Sequence, residues 1–115
     1  MSPVEVILTK LFGRPTRTAY SSAGASVGTS STLLVKQNPN RLGLTIVNLS
    51  SADLFVSPLE SVSSSSGFYL GPLGGTISLN IMDDFTLQAL QWYGVASVIG
   101  AQYFLIEQLA MDPSK

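Results

Sequence analysis

The side chains that enzymes most often use as general bases, thiol nucleophiles and zinc ligands are missing, because the sequence contains neither histidine nor cysteine. Serine is abundant, but the sequence offers no imidazole to activate one as a nucleophile. Acid–base or metal chemistry would have to depend on the carboxylates. The composition therefore argues against an enzyme and predicts no cofactor.

Asp83 and Asp84 form the one adjacent pair of acidic residues. Neighbouring residues of a strand point to opposite faces of the sheet, so two such carboxylates could not act together on one bond. A turn would let them share a cation, but sites for hard cations normally draw several oxygen ligands from a patterned loop. The pair is interpreted as a solvated acidic turn, with no metal site.

Three other motifs have structural explanations. The sequence Gly-Pro-Leu-Gly-Gly at 71–75 lacks the spacing of a phosphate-binding loop and predicts a turn. Asn-Leu-Ser at 48–50 matches a glycosylation sequon, a match that is common by chance. Trp92 and Tyr93 could offer a stacking platform for a sugar or a base, although strand neighbours face opposite sides and only one of them could be exposed. Trp92 is predicted to lie in the core or in a subunit interface.

Charge is scarce and unevenly distributed along the chain. Charged residues make up 11% of the sequence, less than half of the usual share of about 25%. This indicates either an uncharged polar coat or a surface covered by partner subunits, and we prefer the second explanation. Residues 42–114 contain no lysine or arginine, and the basic residues before them are Lys10, Arg14, Arg17, Lys36 and Arg41. They are too dispersed for a nucleic-acid site, and they predict an N-terminal part that contacts an acidic protein surface.

Short apolar segments recur from residue 32 onward, about every 8 to 12 residues, with turn residues between them. The predicted strands are 32–36, 41–49, 54–56, 68–70, 76–81, 85–89, 92–99 and 102–110. The cleanest alternation places Ile77, Leu79 and Ile81 inward. The pattern predicts an all-β fold, an antiparallel β-sandwich that is jelly-roll-like, with an extended N-terminal arm.

The predicted strand at 41–49 is apolar on both faces, which indicates a central strand or one whose outer side is covered. Arg41 opens this strand directly after Asn-Pro-Asn, which is strong turn chemistry. Two roles remain open for it. It is either a solvated charge at the strand start or a pinning hydrogen bond or ion pair to a neighbouring loop or subunit, with Asp53 as a plausible acid.

The N-terminal third differs from the rest of the chain. Residues 13–31 include almost no large apolar residues; most are small, hydroxylated or glycine, and such residues bury too little area to offset the entropy of ordering. They predict an arm that is flexible alone or ordered against a partner. Residues 4–12 fit both a helical face and strand alternation, and their β-branched residues favour an extended segment. The predicted division is a segment and arm at 1–31, a sandwich at 32–111 and a tail at 112–115.

Residues 33–57 carry a resemblance to a known class. Asn-Pro-Asn-Arg at 38–41, an aliphatic strand, Asn-Leu-Ser at 48–50, a short turn and a second strand resemble the core of small tailed-bacteriophage virion proteins. The glycine- and proline-bearing segment at 67–79, the strand at 92–96 and Phe-Leu-Ile-Glu at 104–107 look like the parts that follow in those proteins. The likeness spans about residues 32–110.

The resemblance implies a non-enzymatic head decoration (cement) protein, usually trimeric, that binds the outer capsid surface where shell subunits meet. Its partners would be the major capsid protein or other virion proteins, and it would be made in the host cytoplasm and located in the virion. No apolar run approaches the ~20 residues of a membrane span, and the first residues do not match a signal peptide. The alternative is a tail, spike or fibre-base module that binds a receptor or glycan. The predicted partner contacts are Lys10, Arg14, Arg17, Arg41, Asp53 and Trp92.

Overall fold

The computed structural model describes residues 17–80 and 86–111, together with the single positions 3, 6, 7, 10 and 84. The strands are β1 (Arg17–Val27), β2 (Thr32–Val35), β3 (Arg41–Asn48), β4 (Leu54–Ser57), β5 (Phe68–Leu70), β6 (Thr76–Asn80), β7 (Trp92–Ala96) and β8 (Ala101–Met111). A short 3-10 helix spans Leu87–Ala89. No helix within the described residues is long and apolar enough to cross a membrane.

The strands form two antiparallel sheets of four strands each. Sheet 1 has the order β1-β8-β3-β6 and sheet 2 the order β2-β7-β4-β5. The first strand therefore lies beside the last, the second beside the seventh, the third beside the sixth and the fourth beside the fifth. This nested order is what a long hairpin rolled over on itself produces. The predicted all-β antiparallel sandwich is confirmed.

The core lies between the sheets and is built from the inward residues of the alternating strands. Leu44 and Ile46 of β3, Leu54 of β4 and Leu105 of β8 are fully buried there. Trp92 is 0% exposed, and its indole N–H donates to the carbonyl oxygen of Leu87 at 3.1 Å. Because a buried indole needs an acceptor for its N–H, this hydrogen bond allows Trp92 to occupy the core. Of the two locations that the sequence left open for Trp92, the core or a subunit interface, the structure shows the core.

β1 falls in the segment for which the sequence predicted an arm. All eleven of its residues pair with β8, from Arg17 opposite Met111 to Val27 opposite Ala101. A strand at a sheet edge can be held by its backbone hydrogen bonds to one neighbour, so small side chains do not exclude it. Residues 17–27 are therefore part of the sheet. A docking arm ahead of them stays a prediction.

Two local predictions are corrected. Val6, Ile7 and Lys10 have helical backbone, so the preference for an extended segment is wrong at these positions and the helical spacing was the better signal; the rest of 4–12 lies outside the described residues. The strand predicted at 85–89 is wrong over 87–89, where the 3-10 helix stands. The reason is tertiary, because the carbonyl groups of Gln88 and Leu90 turn toward the Arg41 side chain.

Candidate functional site

Arg41 begins β3 and buries its guanidinium group, which is 1% exposed. Its Nε donates to Oε2 of Glu107 at 2.8 Å, and its Nη1 donates to the carbonyl oxygens of Gln88 and Leu90, both at 3.0 Å. Its Nη2 donates to the carbonyl oxygen of Lys36 at 2.6 Å. One side chain thus connects β3 to β8, to the segment after β2 and to the turn before β7.

This arrangement decides between the two roles left open for Arg41. The pinning role is confirmed, and the acid is Glu107 on β8, so the pairing with Asp53 was wrong. The sequence signal for Glu107 is its position as the single acid within the last apolar strand. Arg41 was predicted to contact a partner. Its guanidinium group is buried and holds loops in place through hydrogen bonds, so this group is not part of the protein surface.

Asn48 ends β3 and forms a second buried polar centre. Its Nδ2 donates to the carbonyl oxygens of Ala52 at 2.8 Å, Leu70 at 3.0 Å and Gly71 at 3.1 Å. Its Oδ1 accepts from both the backbone N–H and the hydroxyl of Ser50. Because Asn48 is 0% exposed, the sequon at 48–50 is not a glycan acceptor in this fold. The sequence indicates this buried role of Asn48, because the alternation of β3 points residue 48 inward and the residue there is polar.

The motif that carries the resemblance therefore organises the fold. Arg41 holds the loops at one end of the sandwich, and Asn48 holds those at the other. Leaving a buried polar group without a hydrogen-bond partner costs free energy. The hydrogen bonds of Arg41 and Asn48 avoid that cost for the two side chains and for the loop carbonyls that they contact. Binding surfaces must be sought elsewhere, on the loops and on the outer faces of the sheets.

The two ends of the sandwich differ in charge. The loops on the Arg41 side hold Lys36, Glu60 and Asp84, whereas the loops on the Asn48 side hold only Asp53. We call the second end the apolar end, formed by the loops 28–31, 49–53, 71–75 and 97–100. Its exposed large apolar residues are Leu49, Leu73, Val98 and Ile99, with Ile99 84% exposed.

Asp53 lies at the apolar end and is half-buried. Its Oδ1 accepts a hydrogen bond from the Tyr69 hydroxyl at 2.9 Å, and its backbone N–H donates to the hydroxyl of Ser97 at 3.1 Å. The hydrogen bond to Asp53 raises the pKa of Tyr69 above its ordinary value, because it favours the protonated phenol. The Asp53 carboxylate, which carries the single charge of the apolar end, therefore already accepts a hydrogen bond from within the chain.

The outer face of sheet 1 is uncharged at every described position. It is formed by Gly24, Ser26, Gly43, Thr45, Val47, Thr76, Ser78, Asn80, Gln102, Phe104, Ile106 and Gln108. Thr45 and Ser78 confirm the shared face, because their hydroxyl oxygens lie 3.0 Å apart. Phe104 stands near the centre, opposite Val47, and is 40% exposed. β3, which the sequence predicts to be apolar on both faces, is an interior strand of sheet 1. Its outward-pointing side chains form part of this outer face.

The outer face of sheet 2 contains a cleft of about 470 Å³. Phe55 and Val95 form its apolar part together with Val62, which comes from the serine-rich loop between β4 and β5. Hydroxyl groups and small residues complete the wall, from Thr29, Ser31, Ser63, Ser64, Ala96 and Ser97. The size falls within the range of small-molecule sites, and the lining carries no charge. Such a cleft suits a neutral, hydroxyl-bearing ligand.

The remaining predicted residues are dispersed. Lys10 is exposed, Arg14 lies outside the described residues, and Arg17 begins β1 at the Arg41 end. Asp84 accepts the backbone N–H of Asn80 at 2.9 Å, and Asp83 lies outside the described residues. Within the described part of the chain, no three acidic side chains come together as a metal site would require. The structure does not gather these positions into one site.

The fold and these surfaces define an antiparallel β-sandwich protein with uncharged faces. No protein-family model matches the chain, and no curated protein matches it. Among solved structures the chain is similar to one described as "Bacillus endospore appendages form a novel family of disulfide-linked pili". The identity is 6%, the match covers 84% of this chain and 89% of that chain, and the TM-score is 0.49. At these values the similarity assigns neither a family nor a function.

Proposed function

We propose that the protein is a non-enzymatic structural subunit that assembles with other proteins through the outer face of sheet 1. The observation that carries this proposal is that the face has no charged side chain at any described position, yet leaves Phe104 40% exposed at its centre. The cores of protein interfaces are depleted in charge and enriched in aromatic residues.

In finer terms, we propose a tailed-phage virion protein that decorates the head, contacts the major capsid protein and stabilises the shell. The support is the resemblance at 38–41 and 48–50, together with the separation of charge between the two ends. A decoration subunit that bridges neighbouring shell subunits buries surface area that the contacts between those subunits leave exposed, and this burial stabilises the shell. The buried hydrogen bonds of Arg41 and Asn48 to the loops favour this role, because a surface whose loops are already held in place loses less entropy on binding.

Co-sedimentation with expanded phage heads tests the proposal. We expect the wild-type protein to saturate the heads and the Phe104→Asp variant to lose most of its affinity, since it would place a charge at the centre of the contact. Ser61→Asp is the matched control, because Ser61 is exposed in the β4–β5 loop, away from this face, and should bind like wild type. Equal binding of the two variants, or no binding by wild type, would contradict the proposal. Equal urea midpoints would show that Phe104→Asp still folds.

The second candidate is a tail, spike or fibre-base module that binds a glycan, and the hydroxyl-lined cleft beside Phe55 favours it. Binding of wild-type protein to neutral glycans on an array would support this function, provided that Ser64→Trp abolishes it. Ser64 is exposed and lines the cleft, so the larger side chain would fill the space without disturbing the core. Binding that survives the substitution would place the ligand elsewhere.

A further inference from the structure

β1 is an edge strand of unusual length for this molecule. It runs for 11 residues, about 36 Å, and it stands at the end of the sheet order with β8 on one side. Within the described residues, no strand lies on its other side. One edge of sheet 1 therefore presents a row of backbone N–H and C=O groups that no described strand satisfies.

The other three edges are protected in ways that β1 is not. β2 has 4 residues and a register shift between Leu33 and Val35, β5 has 3 residues, and β6 has 5. Short length and bulges are the usual means of preventing edge-to-edge pairing, together with lysine and proline on the edge. β1 is long, pairs with β8 without a bulge, and has no lysine, proline or acid; its single charge is Arg17 at its first position.

We propose that a second copy of this chain pairs its own β1 with this edge in the antiparallel direction, about a two-fold axis at Ser22. The two sheets would then join into one continuous sheet of eight strands. A second copy fits because its edge has the same 11-residue length and the same lack of charge. A two-fold contact of this kind uses one self-complementary surface on both subunits.

The register follows from the geometry of an antiparallel pair. The direction of the backbone hydrogen bonds alternates along a strand, so outward-pointing residues can pair only with outward-pointing residues. Two copies of the same strand must therefore place one residue opposite its own counterpart. Full overlap of residues 17–27 places Ser22 at that position.

The contact goes beyond the proposed function because it does not depend on which particle contains the protein. It predicts oligomers with an even number of subunits. The chain would form a dimer, or a hexamer if the three-fold association implied by the resemblance is also present. A monomer or a simple trimer at all concentrations, measured by sedimentation, would overturn the inference.

Single cysteine substitutions test the register directly, because the sequence contains no cysteine. We expect Ser22→Cys to form a covalent dimer under mild oxidation. Ser26→Cys is the matched control, since residue 26 would face residue 18, about 27 Å from residue 26 of the other copy. Non-reducing electrophoresis should show dimer only for Ser22→Cys. Cross-linking of both variants at equal rates, or of neither, would overturn the register.

Charge substitutions at the same position provide a second test that does not require oxidation. Ser22→Lys and Ser22→Glu should each weaken self-association about tenfold or more, because like charges would meet on the axis. An equal mixture of the two variants should recover wild-type association, which a general loss of folding would not permit. Unchanged association of both variants, or no recovery in the mixture while the urea midpoints stay at the wild-type value, would contradict the proposal.

Discussion

Nε of Arg41 lies 2.8 Å from Oε2 of Glu107, although 66 residues separate the two in the chain. The pair joins the first residue of β3 to the neighbouring strand β8 and is almost wholly removed from water. The other guanidinium nitrogens hold three backbone carbonyls from two different connections. The Arg41 end of the sandwich is therefore organised around one side chain.

We expect Arg41→Met to reduce the free energy of unfolding by about 3–5 kcal/mol, because it leaves the Glu107 carboxylate and three carbonyls without this donor. Glu107→Gln should cost less, since the amide oxygen can still accept from Nε. Urea unfolding of both single variants and of the double variant measures the coupling. A double variant whose loss equals the sum of the two single losses would contradict a direct interaction.

At the other end of β3, Asn48→Leu should destabilise the fold by about 3 kcal/mol or more, because three carbonyls lose their shared donor. Asn48→Asp should be destabilised at neutral pH as well, since its carboxylate would face carbonyl oxygens. Protonation supplies a donor again, so the loss in Asn48→Asp should shrink as the pH falls, whereas that in Asn48→Leu should not. Guanidinium midpoints at neutral and acidic pH measure the difference.

Burial raises the pKa of Tyr103 above 10.0. Because the folded state holds the phenol proton more tightly than the unfolded state, this contribution to stability is complete below pH 10 and is lost as the pH rises through the folded-state value. We expect the guanidinium midpoint to fall above pH 10, and to fall less in Tyr103→Phe. Asp53→Asn separates the effect of Tyr69, whose raised pKa depends on its hydrogen bond to Asp53. An equal alkaline decline in wild type and Tyr103→Phe would refute the assignment.

Gly75 is predicted to accept no side chain. A Cβ atom there would lie 2.5 Å from the carbonyl oxygen of Gly71 and 2.6 Å from the carbonyl carbon of Leu70, and backbone atoms cannot yield as a flexible side chain can. We expect Gly75→Ala to lower the thermal midpoint strongly. Gly28→Ala is the control, because a Cβ at Gly28 meets nothing within 4 Å. Similar midpoints for the two variants would show that the 71–75 turn can move.

At the apolar end, Leu73→Ser and Ile99→Ser should change the free energy of unfolding by no more than about 0.5 kcal/mol, because both side chains are mostly exposed. The same substitutions should reduce the binding of a hydrophobic dye to the folded protein. Val27→Ser tests the contrast, since Val27 is buried in the core and its loss should unfold the protein at lower urea. Unchanged dye binding would mean that this end is not the accessible apolar surface.

The sequence predicted the regular part of the sandwich well, because strand alternation is a local signal. Ile77 and Leu79 were expected to point inward, and both pack in or against the core. The strand predicted at 54–56 appears as β4, and that at 68–70 appears as β5 with the same bounds. These strands could be predicted from their own residues alone, because apolar and polar side chains alternate within a few positions.

The sequence by itself determined the all-β class, the apolar character of both faces of β3 and the presence of an arginine directly after a turn. Only the tertiary structure decided that Glu107, and not Asp53, completes the Arg41 centre, and that residues 17–27 form a strand along β8. The physical reason is distance along the chain. Alternation shows which side of a strand is buried, but it does not show which remote strand lies beside it, and that choice depends on how all eight strands pack together.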